Sequence, residues 1–134
     1  MFTYKYQNQR LDDEEDDLRK KDPKKKAFEV YETTFTAQQV HFYLSDEIVE
    51  PREYTDMIHR ILVASPNDIL FIHLNTLGGR LDTGVQIVNA MQNSQAKIIT
   101  VLESMAFSLG TLIFLAGDEM IVNDHCMFMF HNFN

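Results

Sequence analysis

The chain has 134 residues, 45% of them apolar, with 20 Asp and Glu against 12 Lys and Arg, a formal net charge of −8. That length supports one domain with one sizeable core, and an acidic balance disfavours nucleic acid, whose phosphates need a basic face. No apolar run reaches the roughly 18–20 residues that span a bilayer, and the single cysteine, Cys126, excludes an intrachain disulfide and fits a reducing compartment.

The charge is unevenly spread. Residues 1–26 hold 8 of the 12 basic and 7 of the 20 acidic residues, a net +1, which leaves a net −9 on the remaining 108. The opening MFTYKYQNQR lacks the apolar stretch and cleavage site of a secretory signal, so a cytoplasmic location is expected. RLDDEEDDLRKKDPKKK (10–26) is an acidic block followed by a basic one, with Pro23 interrupting any helix. Almost nothing there can be buried. Residues 1–30 are therefore read as a charged tail, either simply solvated or an interaction arm, and 31–134 as the folded domain.

From Ala27 onward the composition changes. In QVHFYLSD (39–46) Val40, Phe42 and Leu44 alternate, as in a strand. Pro51 suits a first helical turn, and Tyr54, Met57, Ile58, Ile61 and Leu62 recur at helical spacing. Ser65–Pro66–Asn67–Asp68 is a turn. DILFIHLN (68–75) reads as a strand buried on both faces. After TLGG comes a helix, LDTGVQIVNAMQNS, with Leu81, Val85, Val88 and Met91 as its apolar stripe. KIITVLE (97–103) is a second buried strand, FSLGTLIFLAG a third helix, and EMIV (119–122) and CMFMFH (126–131) are β-rich. The order β-α-β-α-β-α-β-β implies an α/β fold with a mostly parallel sheet. The chain stops three residues after its last strand, as expected of a fragment or an incomplete domain.

Three features fall at the C-terminal ends of predicted strands, where open α/β sheets place their sites. Gly78–Gly79 allows a sharp turn and close backbone approach, although many strand-to-helix turns carry such a pair. Ser108 stands at the head of a helix, as a nucleophile near helix N–H groups or as an N-cap or small packing residue. His131 follows five apolar or soft residues, as a base or as a satisfied histidine at a sheet edge. Together they supply a nucleophile, a neutral base and backbone donors, the requirements of acyl transfer. His41, His59, His73 and His125 show no ligand spacing, so no metal and no cofactor is expected. Cys126 is expected to be a buried apolar residue, and Met127–Phe130 core and interface.

NTLGG, then MAFSLG, then MFMFHN, resembles the Clp protease proteolytic subunits (ClpP-like serine peptidases), whose pattern is roughly N-S-P-G-G, G-x-A-A-S-M-G and M-I-H-Q-P. Ser108 lies 29 residues after Gly79, and His131 lies 23 after Ser108. The resemblance covers about residues 40–134. It implies the ClpP/crotonase-like β-α-β superhelix, of which this chain holds the N-terminal two-thirds. Carried over by position, Ser108 is the acylated nucleophile and His131 its general base. The N–H groups of Gly79 and Leu109 form the oxyanion hole, Gly78 shapes that loop, and Arg80 and Leu81 contact the peptide. The resemblance further implies homo-oligomeric rings of seven, an AAA+ unfoldase partner, and unfolded polypeptide as substrate. Divergent members of this kind occur in bacteriophages.

The sequence departs from the pattern at Leu77, where the family has proline, at Phe107 before the serine, and at Asn132–Phe133 after the histidine. The family's triad aspartate lies well downstream of the histidine, beyond Asn134. Asp118 and Asp124 are upstream acids that could substitute, with no sequence reason to expect it. Two other readings therefore stand beside the peptidase: a non-catalytic structural or regulatory subunit, and one piece of a split peptidase.

Overall fold

The structure, a computed structural model, describes residues 2–4 and 28–131. The charged blocks at 10–26 lie outside the described residues. The chain divides into two compact units, Met1–Thr36 and Ala37–Asn134. In the first unit, strand β1 (Phe2–Tyr4), within the segment read as tail, pairs with β2 (Phe35–Ala37), which ends at the boundary.

The second unit runs β3 (Gln39–Ile48), a 3-10 turn at Pro51–Tyr54, α1 (Thr55–Leu62), β4 (Ile69–Gly79), α2 (Leu81–Asn93), β5 (Lys97–Phe107), α3 (Leu109–Leu115), β6 (Glu119–Val122) and β7 (Met127–Met129). The sheet order is β3-β4-β5-β6, with β7 also on β5, and every pairing is parallel. A parallel neighbour cannot be reached by a hairpin, so each step from β3 to β6 carries a helix. β6 pairs with Ile99–Leu102 and β7 with Met105–Phe107. One edge of β5 is thus covered by two short strands in succession. The element order is the expected one.

The three helices share one face of the sheet. Leu44, Leu70, Ile72, Leu74, Ile98 and Leu102 meet Ile58, Ile61, Ile87, Ile113 and Phe114 there in one buried cluster. Side-chain alternation sends the neighbouring residues to the other face. This corrects the reading of β4 as buried on both faces: Leu70, Ile72 and Leu74 are buried, but Phe71 and His73 are only half-buried. β5 is buried on both faces over Ile98–Leu102, as its continuous apolar run predicts.

Two helical stripes shift. In α2 the buried face is Thr83, Gly84, Ile87, Ala90 and Met91, while Leu81 and Val85 stay exposed. One packing reason is Gly84: a Cβ there would come within 2.1 Å of the Leu109 side chain, so α2 approaches α3 closely at this point. In α1, Ile58 and Ile61 are buried and Leu62 is exposed. Cys126 is half-buried, its thiol donating to the Asn123 carbonyl at 2.9 Å. Met127, Phe128, Met129 and Phe130 are 47–62% exposed rather than core, since they lie along the sheet's outer edge.

Candidate active site

Ser108 is the single residue between β5 and α3, and its backbone is strained at φ 52, ψ −117. Of the described residues, only Asp46 shares a positive φ without being glycine. Such a conformation costs about 1–3 kcal/mol and persists only where its surroundings enforce it. Its hydroxyl makes no cap bond to α3, so the N-cap reading of the serine fails: the side chain is not spent on the helix it heads.

Four contacts enforce the turn. The Ser108 N–H donates to the Met129 carbonyl at 2.9 Å, and the Thr111 N–H donates back to the Ser108 carbonyl at 3.1 Å. The buried Thr111 hydroxyl is shared between the Ala106 carbonyl at 2.8 Å and the Met129 carbonyl at 3.2 Å. Gly78, at φ +93, fits directly against the serine. A Cβ on it would lie 2.7 Å from the Phe107 carbonyl oxygen, 3.0 Å from Ser108 Cβ and 3.3 Å from the Leu109 nitrogen.

The glycine pair is itself positioned by Thr76, which is buried. Its hydroxyl donates to the Asp46 carbonyl at 2.5 Å and accepts from the Gly78 N–H at 3.1 Å. The β3–β4 register slips between Asp46 and Glu47, and the β4–β5 register between Leu74 and Thr76. Irregular pairing of this kind commonly re-aims backbone beside a functional site.

The expected site residues are therefore distributed as follows. Gly78 and Leu109 meet at Ser108, with Leu109 buried as the first residue of α3. Gly79 packs against the Ile48 backbone at the end of β3, where the next N–H, of Arg80, donates to the Ile48 carbonyl at 2.9 Å. Arg80 makes a two-pronged pair with Asp82 at 3.0 and 2.7 Å, and its guanidinium holds the Asp82 carboxyl below the usual carboxylate range. Leu81 opens α2 and is half exposed. His131 is exposed and follows β7, which stops at Met129, two residues short of the expected strand end. Two residues span at most about 7 Å, so His131 stays near the carbonyl that receives the Ser108 N–H.

Asp118 stands elsewhere. Its carboxylate accepts the Ile98 N–H at 2.7 Å and its own N–H donates to the Ile98 carbonyl at 2.8 Å. Ile98 is ten residues before Ser108 along β5, roughly 30 Å at strand rise. Asp124 is exposed in the β6–β7 turn.

Three arrangements escaped the sequence reading. Thr76 and Thr111 fix the site backbone, and only the strand pairing shows what they reach. Two of the four histidines set aside as unremarkable form a row with Glu103 on the other sheet face: His41 Nδ1 lies 2.9 Å from His73 Nε2, and His73 Nδ1 lies 2.5 Å from Glu103 Oε1. Tyr43 and Phe71 stack on the two rings. Asp68 is a buried carboxylate holding the turn between α1 and β4. Among the described residues no His, Cys, Asp and Glu cluster could hold a metal ion, and no helix is long and apolar enough to cross a membrane.

A family model described as Clp protease matches residues 22–133. The chain is similar to an ATP-dependent Clp protease proteolytic subunit of Zea mays, 27% identical over 101 residues, covering 74% of this chain and 44% of that one. It is also similar to the ATP-dependent Clp protease proteolytic subunit 1 of Gloeobacter violaceus, 30% identical over 74 residues, covering 49% of this chain and 38% of that one. Among solved structures it is similar to the ClpP protease catalytic domain from Plasmodium falciparum, with a TM-score of 0.61 at 22% identity, over 69% of this chain and 53% of that chain. The chain spans less than half the length of these curated relatives.

Proposed function

The chain belongs to the Clp protease family, and on that premise we propose that it is a serine endopeptidase subunit that cleaves unfolded polypeptide through an acyl-enzyme. Ser108 is the nucleophile and His131 its general base. The Gly79 and Leu109 N–H groups receive the oxyanion, Gly78 shapes the loop, and Arg80 and Leu81 flank the bound peptide. Copies of the chain assemble as a ring served by an AAA+ unfoldase, in the cytoplasm.

The supporting observation is the Ser108 backbone at φ 52, ψ −117, on a strand-to-helix turn whose hydroxyl is not used as a cap. A strained turn presents the side chain away from the helix it heads, and it puts the N–H of the next residue, Leu109, where charge would develop on a substrate. In the reaction His131 takes the Ser108 hydroxyl proton as Oγ attacks the peptide carbonyl. The carbonyl oxygen becomes an oxyanion, and the same proton passes to the leaving amine as the C–N bond breaks. Water then repeats the sequence on the ester and releases the acid.

A non-catalytic subunit is the second reading. What favours it is the commitment of two acids near the last strands: Asp118 to the Ile98 N–H and Glu119 to Lys97. An imidazole without an orienting carboxylate can lose about 10⁴-fold in rate. Intact-mass analysis after fluorophosphonate treatment separates the two. The peptidase reading expects one adduct on the folded chain and none on Ser108→Ala. A folded wild-type chain that takes no adduct overturns it.

A further inference from the structure

We infer that Thr111 is a positioning residue for the Ser108 chemistry, tying the serine turn to the strand that leads to His131. The inference rests on the serine-peptidase reading and adds to it a residue outside the expected nucleophile, base and oxyanion donors.

Helical preference does not explain a threonine here. Alanine suits the interior of α3 better, and the position is buried, with Thr111 1% exposed. A buried hydroxyl must find an acceptor. In a helix the usual acceptor is a carbonyl three or four residues back. Thr111 instead reaches Ala106, at the end of β5, and Met129, in β7.

Met129 is where the tie matters. β7 pairs with β5 over only three residues, and Met127, Phe128 and Met129 are each roughly half exposed. Apart from the Phe128 ring, 5.8 Å from that of the buried Phe114, side-chain burial therefore fixes this strand weakly. Its last carbonyl accepts two donors, the Ser108 N–H and the Thr111 hydroxyl. One oxygen thus receives the backbone of the proposed nucleophile and the side chain of Thr111, two residues before the proposed base. With the hydroxyl removed, the Ala106 carbonyl loses this donor and the Met129 carbonyl keeps only Ser108. The end of β7 can then drift relative to the serine turn. A misplacement of about 1 Å at a reacting pair is enough to cost about 10²-fold in rate.

The test uses the 134-residue chain and two readouts: amide hydrogen exchange at Ser108, and the rate of fluorophosphonate labelling. Thr111→Val keeps the shape and deletes the hydroxyl, Thr111→Ala keeps the helix should valine not fold, and Thr111→Ser restores the hydroxyl. We expect the Ser108 amide in the Val or Ala variant to exchange about tenfold faster and its labelling to slow by at least that factor. The Ser variant should return both to within about threefold of wild type. In any peptide assay the loss should fall on kcat with KM little changed. Val or Ala variants that label at the wild-type rate overturn the inference and leave the peptidase reading standing. So does a loss that Thr111→Ser fails to rescue, which marks packing alone. A folded wild-type chain that does not label overturns the peptidase reading itself, and the inference with it.

Discussion

At the scale of single residues, the site depends on positions where only one side-chain size fits. Gly78 combines φ +93 with a space that a Cβ would fill at 2.7 Å from the Phe107 carbonyl. Gly78→Ala must therefore either move the loop or push the serine turn. It should lower stability by about 1–3 kcal/mol in urea unfolding and slow Ser108 labelling in the same sample. An alanine variant with unchanged midpoint and labelling would show that the loop does not lean on Ser108. Asp68 acts far from the site. Burial by itself would raise its carboxyl, but the N–H groups of Gln38 and Ser65 and the Arg60 guanidinium together outweigh that and hold it below the usual carboxylate range. These contacts, at 2.9, 3.0 and 3.4 Å, join the start of β3 to the turn before β4. A folded-state value below the unfolded one means the stabilisation is present above the ordinary aspartate value of about 3.9 and is lost as pH falls below it. Asp68→Asn keeps the shape and removes the charge, so it should cost about 1–3 kcal/mol at pH 7. The difference from wild type should shrink as both are titrated through pH 4 to 3. A gap that stays constant down to pH 3 would show that the ionised carboxylate is not what stabilises the turn.

At the scale of elements, the sequence was most readable where one periodicity dominates. β3, β4 and β5 follow their alternating or continuous apolar runs, and each crossover helix lies where the pattern changes period. The helix faces were less readable, because size and burial part company in α2. There Gly84 and Ala90 are buried and Leu81 is not, and at Gly84 the Leu109 side chain leaves no room for anything larger. The row His41–His73–Glu103 could not be read at all. Its members are 32 and 30 residues apart in sequence and meet only through the β3–β4–β5 register. The same holds for Thr111 and Met129, whose contact depends on β7 returning to β5 beyond the end of β6. Ser108 and Gly78 lie at strand ends as their pattern predicts, whereas His131 follows a strand that stops two residues earlier, at Met129. The strained serine backbone was not legible, since it arises from contacts with Met129 and Gly78 that no local pattern encodes.

At the scale of the whole molecule, the unbalanced feature is the outer edge of the sheet. Parallel sheets are normally covered, and exposed edges are normally charged or shortened. Here Met120, Ile121, Val122, Met127, Phe128, Met129 and Phe130 are all between 45% and 62% exposed along β6, β7 and the residue that follows. Short strands limit pairing to a neighbour's backbone but leave the apolar side chains in water. Ring assembly, as proposed, would give this edge a partner in a second copy of the chain. The net −9 on residues 27–134 opposes that contact by repulsion between like bodies. Salt shortens that repulsion to a Debye length of about 10 Å at 0.1 M and leaves apolar contacts in place. Sedimentation velocity should therefore show assembly that strengthens as salt rises from about 0.05 to 0.5 M, in the sense opposite to an interface held by ion pairs. Val122→Lys combined with Met127→Lys puts two charges on this edge at exposed positions and should return the chain to monomer with little loss of stability. Assembly that survives the double variant, or that weakens with salt, would place the contact elsewhere on the molecule. Leu112 and Leu115 on the outer side of α3, 42% and 50% exposed, are then the next apolar surface to charge.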